Sequence, residues 1–415
     1  SRRFSLLAEW GILTVNKQKG EDAMKRFLFA GVVAFVPGLL ATAGHAQDTV
    51  KIGIIMPYSG QFADAATQMD DGIKLYLKQH GDKLGGKKVE IIRKDVGGIN
   101  PSVAKRLAQE LVTRDNVDIL AGFVLTPNAL AAADVSAEAK KFMVVMNAAT
   151  AIITTKSPYM ARTSLTVPQL TQTLGDWAEK QGLKNAYTMV TDYGPGIDAE
   201  GGFQSGFKGA GGNIVGSLRM AVQNPDFTAY VQRARDLNPQ GIFVMIPGGA
   251  QPAAFGKALA EVGIDPKKTE VMGQLEIADE HALASMGDIA LGIITCGHYD
   301  ANHHSKLNEE FVKAYNADFK RNPDFFSVGG YDGTHLIDIA LQKSGGKTDG
   351  ESLINAAKGA SWESPRGPIS IDPETRDIIQ TVYIRRVEKV GGHLVNVEIA
   401  AIPNVKDPVK AAMKH

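Results

Sequence analysis

The chain has 415 residues, with 45 Lys and Arg against 45 Asp and Glu, and a formal net charge of zero. Its length predicts two or three domains, and its 44% hydrophobic and 22% charged residues exclude a disordered or collagen-like protein. The charge balance argues against nucleic acid as a partner, while the single cysteine, Cys296, excludes an intrachain disulfide and makes a cysteine-based zinc site unexpected.

Residues 1–46 have the pattern of an upstream extension, residues 1–23, followed by a secretory signal. The signal begins at Met24 with two basic residues, continues as an apolar run to Leu40 and ends in small residues at Ala46. The run is shorter than a membrane span, and Pro37 interrupts it. We expect a signal at residues 24–46, cleavage after Ala46 and export to the periplasm.

From residue 50 onward, short apolar runs rich in β-branched residues alternate with longer amphipathic stretches. This alternation is typical of a parallel sheet that is covered by helices. The first series predicts strands at 50–56, 88–93, 117–122 and 142–146, and helices at 62–79, 101–114 and 127–140.

A second series of the same kind follows. It predicts helices at 168–181, 199–209 and 227–236, strands at 186–191, 213–218 and 241–246, and further runs at 251–262, 269–273 and 291–296. Two late helices, at 306–321 and 333–343, need a sheet to cover and indicate a return to the first lobe. The predicted fold class is therefore α/β, with two doubly wound αβα lobes and a cleft at the strand ends.

Motifs for phosphate binding and for nucleophilic catalysis are absent from the sequence, which contains no G-x-G-x-x-G, no P-loop and no G-x-S-x-G. Cys296 lies in an apolar run that is typical of a buried strand. His298, His303 and His304 cluster, but adjacent histidines point to opposite sides of an extended segment, so we expect a solvated loop and not a metal site. We therefore expect no cofactor and no metal.

Two other classes of protein stay open. An enzyme that uses the cleft would have Asp192, Glu276 and Asp332 as acid and base candidates, although no activated nucleophile accompanies them. A ligand-sensing domain can share such a fold, but a DNA-binding module or a second membrane span is not evident in the sequence.

Hydroxyl side chains follow two neighbouring predicted strands. Thr126 directly precedes Pro127, which predicts that it is a helix N-cap whose hydroxyl, with the free N–H groups of the next turn, can hold a carboxylate. Thr150 follows the strand at 142–146 after small residues that allow a ligand to approach the backbone. Plain helix capping at Thr126 and an ordinary turn at Thr150 are the alternatives.

Several segments together resemble one known protein family. They are KIGIIMPYSG at 51–60, AAT at 148–150, DYG at 192–194 and GGYD at 329–332, the last of which precedes a predicted helix. Their order and spacing resemble those of the leucine/isoleucine/valine-binding family of periplasmic receptors, which deliver solutes to ABC transporters. The resemblance covers nearly all of residues 48–390. The segments also look similar to the branch of that family that takes up aromatic acids.

The resemblance implies the fold of a type I periplasmic binding protein, in which three crossovers join two αβ lobes and the ligand lies between them. The crossovers would lie near residues 164–167, 297–299 and 376–379. Lobe 1 would contain residues 47–166 and 299–375, lobe 2 residues 167–298 and 376–402, and the C-terminal tail residues 403–415. The resemblance also implies hinge closure and docking on the permease and ATPase subunits of an ABC transporter, and we expect a monomer.

The resemblance also implies a ligand site. The ligand carboxylate would be held at Thr126, Ala148 and Thr150, and Tyr193 would close over the ligand. An acid that takes the amino group of amino-acid ligands falls near residues 274–276, with the register open between Leu275 and Glu276. The candidate ligand-binding set is Ser59, Gln61, Phe62, Thr126, Ala148, Thr150, Tyr193, Gly249, Gln274, Glu276, Phe326 and Tyr331.

Two departures from the family pattern bear on the ligand. Ala65 stands where family members often carry an aromatic residue, with Phe62 nearby, which enlarges the expected pocket. If Leu275 takes the acidic position, the ammonium group of an amino acid would be buried without a partner. We therefore expect an aromatic acid, such as a benzoate or a phenylpropanoid, as the first ligand, and a branched-chain or other apolar amino acid as the second.

Overall fold

The computed structural model describes residues 49–413, and the extension and signal predicted at residues 1–46 lie outside this part of the chain. The described residues form two sheets flanked by helices. We call the parts built on these sheets the first lobe and the second lobe. Between residues 49 and 413, no helix is both long enough and apolar enough to span a bilayer.

The first sheet has six strands. In chain order, its lobe begins with β1 (Thr49–Met56), α1 (Ala63–Gln79), β2 (Lys83–Leu84), β3 (Lys87–Asp95), α2 (Pro101–Thr113), β4 (Ile119–Gly122), α3 (Thr126–Ala139), β5 (Phe142–Val145), a 3-10 helix at Ala151–Lys156 and β6 (Met160–Arg162). The strand order is β2-β3-β1-β4-β5-β6, and only the β2–β3 pair is antiparallel among these described strands. Ile54 and Ile55 of β1 enter different core clusters, so both faces of the sheet are covered.

The second sheet repeats this arrangement. Its elements are α4 (Val167–Lys180), β7 (Asn185–Thr191), α5 (Gly194–Gly209), β8 (Asn213–Met220), α6 (Phe227–Asp236), β9 (Gly241–Met245), α7 (Gln251–Val262), β10 (Glu270–Gln274), a 3-10 helix at Leu275–Ala278, α8 (Glu280–Met286), a 3-10 helix at Gly287–Ala290 and β11 (Ile294–Gly297). The order β11-β10-β9-β7-β8 is parallel throughout. The alternation of strands and helices predicted for this half is present.

The remaining elements connect the lobes again. They are α9 (Lys306–Phe319), α10 (Phe325–Lys343), α11 (Gly350–Ala357), β12 (Ser361–Ser364), β13 (Gly367–Ile371), β14 (Ile378–Val390), β15 (His393–Val405) and α12 (Pro408–Ala412). Helices α9 and α10 pack against α1 of the first lobe. Strand β14 begins in the first-lobe core at Ile378 and continues in the second-lobe core at Val382, where it pairs with β11.

Helix α10 begins earlier than predicted, so the GGYD segment at 329–332 lies inside it and not before it. The cause is a capping box, in which Asp324 accepts the Ser327 N–H at 2.9 Å and the Ser327 hydroxyl accepts the Asp324 N–H at 3.1 Å. A Cβ at Gly330 would come within 2.0 Å of the Met69 carbonyl oxygen on α1. The glycine therefore serves close packing of α10 on α1.

Buried charges surround the segments that join the lobes. Arg366 is fully buried, forms an ion pair with Asp332 at 2.8 Å and donates to the carbonyl oxygens of Thr163 and Ser164. These carbonyls belong to the segment that leads from β6 to α4. Asp332, which the sequence offers as an acid or base candidate, is thus a structural partner of Arg366.

The C-terminal residues take part in the same region. In the segment expected as a tail, Asp407 accepts a hydrogen bond from the Thr166 hydroxyl at 3.0 Å. Lys410 on α12 is buried and forms ion pairs with Asp377 and Asp407. Helix α12 therefore packs its one buried side chain against the connection between the lobes.

Candidate functional site

A cavity of about 660 Å³ lies between the two lobes, which is in the range of roughly 300–1,000 Å³ that is typical of small-molecule sites. Its wall contains Phe62 before α1, Thr126 at the start of α3, Tyr193 before α5 and Ala250 before α7. The N-terminal end of a helix carries partial positive charge. Four helix starts around one cavity therefore favour an anionic group of a ligand.

Two threonine hydroxyls form a pair at the first-lobe wall, where Thr126 lines the cavity and the buried Thr150 is not among the lining residues. Thr126 is the first residue of α3 and not its N-cap, which is Leu125 without a side-chain cap. The Thr126 hydroxyl lies 3.0 Å from the hydroxyl of the buried Thr150. One O–H proton is used between them, so one remains to donate to a ligand. The prediction of Thr126 as an N-cap was therefore wrong, and its hydroxyl is held in place by Thr150.

The second lobe approaches this pair from the other side. A Cβ at Gly194, the first residue of α5, would lie 3.3 Å from the Thr150 hydroxyl oxygen. The Ala151 N–H donates to the Asp198 carboxylate of α5 at 2.8 Å, and burial raises the pKa of Asp198. Thr150 therefore lies where the start of α5 meets the first lobe.

Arg162 is a positioning residue that the sequence analysis missed. It is fully buried on β6, forms an ion pair with Asp377 at 2.8 Å and donates to the carbonyls of Ala148 at 3.0 Å and Thr150 at 2.8 Å. The loop that carries Thr150 is thus held by a charged side chain. In the sequence, the indication of this role is that an arginine occurs just before the first segment that joins the two lobes.

Ala148 does not line the cavity, and its backbone groups are occupied. Its N–H donates to the Phe123 carbonyl at 2.9 Å, and its carbonyl accepts from Arg162. The neighbouring Asn147 and Ala149 line the cavity in its place. The structure therefore gives Ala148 no free donor for a carboxylate.

Aromatic and small residues form much of the remaining wall. Phe62 and Phe326 line the first-lobe side, and Tyr193 lines the second-lobe side. Burial, with a smaller contribution from the Glu276 carboxylate, raises the pKa of Tyr193, so that its hydroxyl stays protonated. Gln61, Ala65 and the loop around Gly249 also line the cavity. The cavity wall thus combines aromatic rings with small side chains.

Glu276, not Leu275, faces the cavity. Leu275 is 7% exposed and packs on Gly297, where a Cβ would lie 2.8 Å from a Leu275 methyl carbon. Glu276 lines the cavity, and its Oε2 atom is shielded from solvent without a hydrogen-bond partner among residues 49–413. Burial, then the nearby Asp279 carboxylate, raises the pKa of Glu276 to about 7. Of the two residues between which the register was open, Glu276 is the one that lines the cavity.

The other acidic residues of the cavity wall have partners. Asp279 accepts the Ala282 N–H at 2.7 Å, and Glu280 accepts from Asn322 at 3.1 Å. Asp64 pairs with Arg321 at 2.9 Å. Asp324 is occupied by the capping box of α10, and burial raises its pKa to about 7. Among the described residues of this wall, Glu276 is therefore the acid that has a shielded carboxylate oxygen without a hydrogen-bond partner.

Two candidates lie away from the cavity. Ser59 is exposed, and its N–H donates to Asp95 at 3.2 Å. Tyr331 lies in the middle of α10, where its hydroxyl donates to Gln79 at 2.7 Å and its ring contacts Tyr76. Neither residue is among those that line the cavity, since Ser59 is exposed and Tyr331 lies within a helix.

The residues considered for catalysis and metal binding are separated. Asp192 is exposed, Asp332 pairs with Arg366, and only Glu276 of the three lines the cavity. Of the two histidines expected on a solvated loop, His304 is exposed, whereas His303 is half-buried with its Nδ1 atom 2.9 Å from a Glu398 carboxylate oxygen. Cys296 is buried in β11, and burial raises the pKa of its thiol. Residues 49–413 contain no group of three or more His, Cys, Asp and Glu placed to hold a metal ion.

The architecture and the sequence match known proteins over most of the chain. A model of the periplasmic binding protein family matches residues 49–392, which include every candidate site residue. The Leu/Ile/Val-binding protein homolog 6 of Brucella melitensis biotype 1 is 40% identical over 389 residues, covering 93% of this chain and 99% of that protein.

Two solved structures are similar as well. One is a solute binding protein of an ABC transporter from Rhodopseudomonas palustris BisB5 in complex with 3,4-dihydroxy benzoic acid, which is 50% identical with a TM-score of 0.84, covering 88% of this chain and 100% of that one. The other, from Rhodopseudomonas palustris HaA2 in complex with p-hydroxybenzoic acid, is 39% identical with a TM-score of 0.84 and the same coverage.

Proposed function

The chain belongs to the periplasmic binding protein family, and we propose that it is the solute receptor of an ABC import system that binds an aromatic carboxylate between its lobes. The observation that carries this proposal is the Thr126 hydroxyl, which is bonded to the buried Thr150 hydroxyl and lines a cavity with helix starts and aromatic residues in its wall. The aromatic acids bound by two similar receptors support it.

The carboxylate of the ligand binds at the first-lobe wall. The free O–H of the threonine pair donates to it, and the starts of α3 and α5 add partial positive charge. Arg162 contributes by fixing the loop rather than by contact, because its guanidinium is committed to Asp377 and to carbonyl oxygens. The negative charge of the ligand is thus stabilised by the dipoles of two helices and by a hydrogen bond from one hydroxyl.

The ring of the ligand lies among Phe62, Tyr193 and Phe326. Offset stacking or edge contacts with such rings contribute about 0.5–1.5 kcal/mol each beyond the burial of apolar area. Ala65 and the Gly249 loop leave space for the ring and its substituents. A cavity of about 660 Å³ leaves room for acids larger than benzoate.

Transport requires that the lobes close and open again. The lobes contact each other through Ala151 with Asp198 on one side and through Asn322 with Glu280 on the other. The closed receptor then docks on the permease and ATPase subunits, and the signal at residues 24–46 directs it to the periplasm. It works as a monomer, and the ligand is released unchanged.

A thermal-shift screen tests this function. The purified protein is melted with benzoate-like and cinnamate-like acids and with all amino acids, each at a concentration far above its expected Kd. A ligand at about 100 times its Kd adds roughly 2.7 kcal/mol, which is a shift of several degrees. Shifts with aromatic acids support the proposal, and shifts with amino acids alone contradict it. Recovery of an unchanged acid from the protein separates a receptor from an enzyme.

A receptor for apolar amino acids is the second candidate. The observation that favours it is Glu276 in the cavity, since an unpartnered carboxylate can take an ammonium group. The aromatic wall and the threonine pair suit both ligand classes. Leucine, isoleucine and valine in the same screen decide between them.

A further inference from the structure

A chain of buried polar contacts leads from helix α12 to the wall of the cavity. Lys410 of α12 is 6% exposed and forms an ion pair with Asp377, which in turn pairs with Arg162 at 2.8 Å. Arg162 donates to the Thr150 carbonyl at 2.8 Å, and the Thr150 hydroxyl lies 3.0 Å from the Thr126 hydroxyl. Because Thr126 lines the cavity, these contacts connect a helix outside the cavity wall with a group inside it.

The two carboxylate oxygens of Asp377 have different partners. The Oδ1 atom accepts from Arg162 Nε at 2.9 Å, whereas Oδ2 accepts from Lys410 and, at 3.4 Å, from the Thr154 hydroxyl. Asp377 is 1% exposed, and a buried carboxylate is stable only when its oxygens have partners. Without Lys410, Oδ2 would keep only the long contact with Thr154. The carboxylate would then be free to rotate, and its bond to Arg162 would lose its geometry.

Helix α12 also contacts both lobes. It packs on the 3-10 helix at Ala151–Lys156, which follows Thr150 directly in the first lobe, and on α4 of the second lobe. Asp407, the N-cap of α12, accepts from the hydroxyl of Thr166, the N-cap of α4, at 3.0 Å. The helix therefore connects the loop that carries Thr150 with the second lobe.

We propose that Lys410 is a positioning residue for the carboxylate of the ligand. It holds Asp377 in place, Asp377 holds Arg162, and Arg162 fixes the Thr150 loop and with it the Thr126 hydroxyl. This inference rests on the proposed function and deepens it, because it assigns a role in ligand binding to a helix that is remote in sequence from the site. Lys410 is not among the residues that line the cavity, so it acts through the geometry of the folded protein and not by contact with the ligand.

Calorimetric titration of the purified protein tests the proposal. The probes are 3,4-dihydroxybenzoate, which a 50% identical receptor holds, benzoate and leucine, since all three carry a carboxylate. The titrations are made well below the melting temperature of every variant, where a loss of unfolding free energy alone leaves the measured Kd unchanged. Lys410→Met should raise the Kd about 3- to 30-fold.

The same C-terminal segment provides a matched control. Lys406 pairs with Asp372 at 3.3 Å, but its side chain is 61% exposed. Lys406→Met therefore removes a lysine–aspartate pair of the same chemistry four residues earlier, outside the buried chain of contacts. Its Kd should stay within about 2-fold of the wild-type value.

A shortened chain that ends at Val405 is the second variant. It removes Lys410 and Asp407 together, so that Arg162 and Asp377 remain as a pair of balanced charge. The shortened chain should lose affinity to a similar extent as Lys410→Met, and it decides the question if that variant does not fold. Melting of each empty variant verifies that it is folded.

A double variant tests whether the effect passes through the hydroxyl pair. In a Thr150→Val background, Lys410→Met should change the Kd less than about 2-fold, because the hydroxyl that it positions is already missing. A purely structural Lys410 would lower the melting temperature in both backgrounds and leave the Kd unchanged in both.

The outcomes separate the inference from the function on which it rests. If the Lys410→Met and shortened proteins melt earlier but bind as the wild type does, the receptor function stands and the inference is overturned. The inference is also overturned if Lys410→Met raises the Kd equally with and without the Thr150 hydroxyl. If leucine alone binds the wild-type protein, the aromatic-acid function fails, while the effect of Lys410 on carboxylate binding is measured with leucine. If none of the three probes binds, both fail.

Discussion

The two walls of the cavity differ in how complete they are without a ligand. On the first-lobe wall, Thr126 is bonded to Thr150 at 3.0 Å, and Arg162 holds the loop that carries Thr150. On the second-lobe wall, Gln274 and Glu276 each keep a buried acceptor unsatisfied within the described chain. The first wall is thus fixed by bonds within the protein. The second wall buries two acceptors without partners, which costs stability in the empty state.

The largest expected effect comes from removing the support of the first wall. Arg162→Met leaves the buried carboxylates of Asp377 and Asp407 with only Lys410 to balance them and frees two carbonyls, so the free energy of unfolding should fall by about 3–5 kcal/mol. Denaturant unfolding measures this. Lys180→Met is the control, because its bond to Asp176 is exposed and should contribute less than about 0.5 kcal/mol. Equal losses in the two variants would contradict a supporting role for Arg162.

The next effect concerns the hydroxyl pair itself. Thr126→Val and Thr150→Val should each weaken aromatic-acid affinity by about 1–3 kcal/mol, and each should also destabilise the empty protein by about 1 kcal/mol, because the other hydroxyl loses its buried partner. The double variant should be no less stable than either single one, since no hydroxyl is then left unpaired. Calorimetric titration and melting provide both quantities. Additive stability losses would show that the two hydroxyls are not coupled.

A variant of the second wall should act in the opposite direction on stability. The pKa of Glu276 is raised to about 7 in the folded protein, so the folded protein binds more protons than the unfolded chain between about pH 4.5 and 7 and loses stability as the pH rises through that range. Asp279 and Tyr193 are its titratable neighbours. Glu276→Gln should therefore be more stable than wild type by roughly 1–3 kcal/mol at pH 8 and equal to it near pH 4. Unfolding at both pH values measures this, and a constant difference would reject the explanation.

The smallest effect concerns a contact that joins the walls. Asn322→Ala removes the donor to Glu280 across the cleft, and the ligand dissociation rate should rise about 2- to 5-fold with little change in association. Asn355→Ala, which removes an exposed bond to Glu351 within α11, is the matched control. Stopped-flow release measures the rates. If the two variants release ligand equally fast, this contact does not hold the cleft closed.

Periodicity was sufficient to predict most of the fold. Strands β1, β3 to β5 and β7 to β11 are short apolar runs between amphipathic helices, and such patterns depend on local sequence. The short strands β2 and β6 lack this pattern and were not predicted. The start of α10 was missed because Gly329 and Gly330 suggest a turn. In the structure, these two glycines lie within the helix and allow it to pack closely on Met146 and Met69. Strands β12 to β15 were missed as well, although the Gly391-Gly392 turn between two β-branched runs signals the β14–β15 hairpin.

The site was harder to predict than the fold, for a physical reason. Eight of the candidate residues line the cavity, because strand ends meet at one edge of each sheet. Whether Leu275 or Glu276 faces the ligand depends on the short 3-10 helix that follows β10, which a pattern of residue types does not determine. Arg162 was missed since its role depends on Asp377, which is 215 residues away in the sequence.

The chain's single cysteine provides a natural reporter of the second wall. Cys296 on β11 is in register with Gln274 on β10 and is fully buried in the second-lobe core, so a maleimide reaches its thiol only after this core opens locally. The rate of alkylation therefore counts opening events of the second lobe without any engineered label. Mass spectrometry with a ligand present then shows how strongly occupancy of the cavity protects that strand pair.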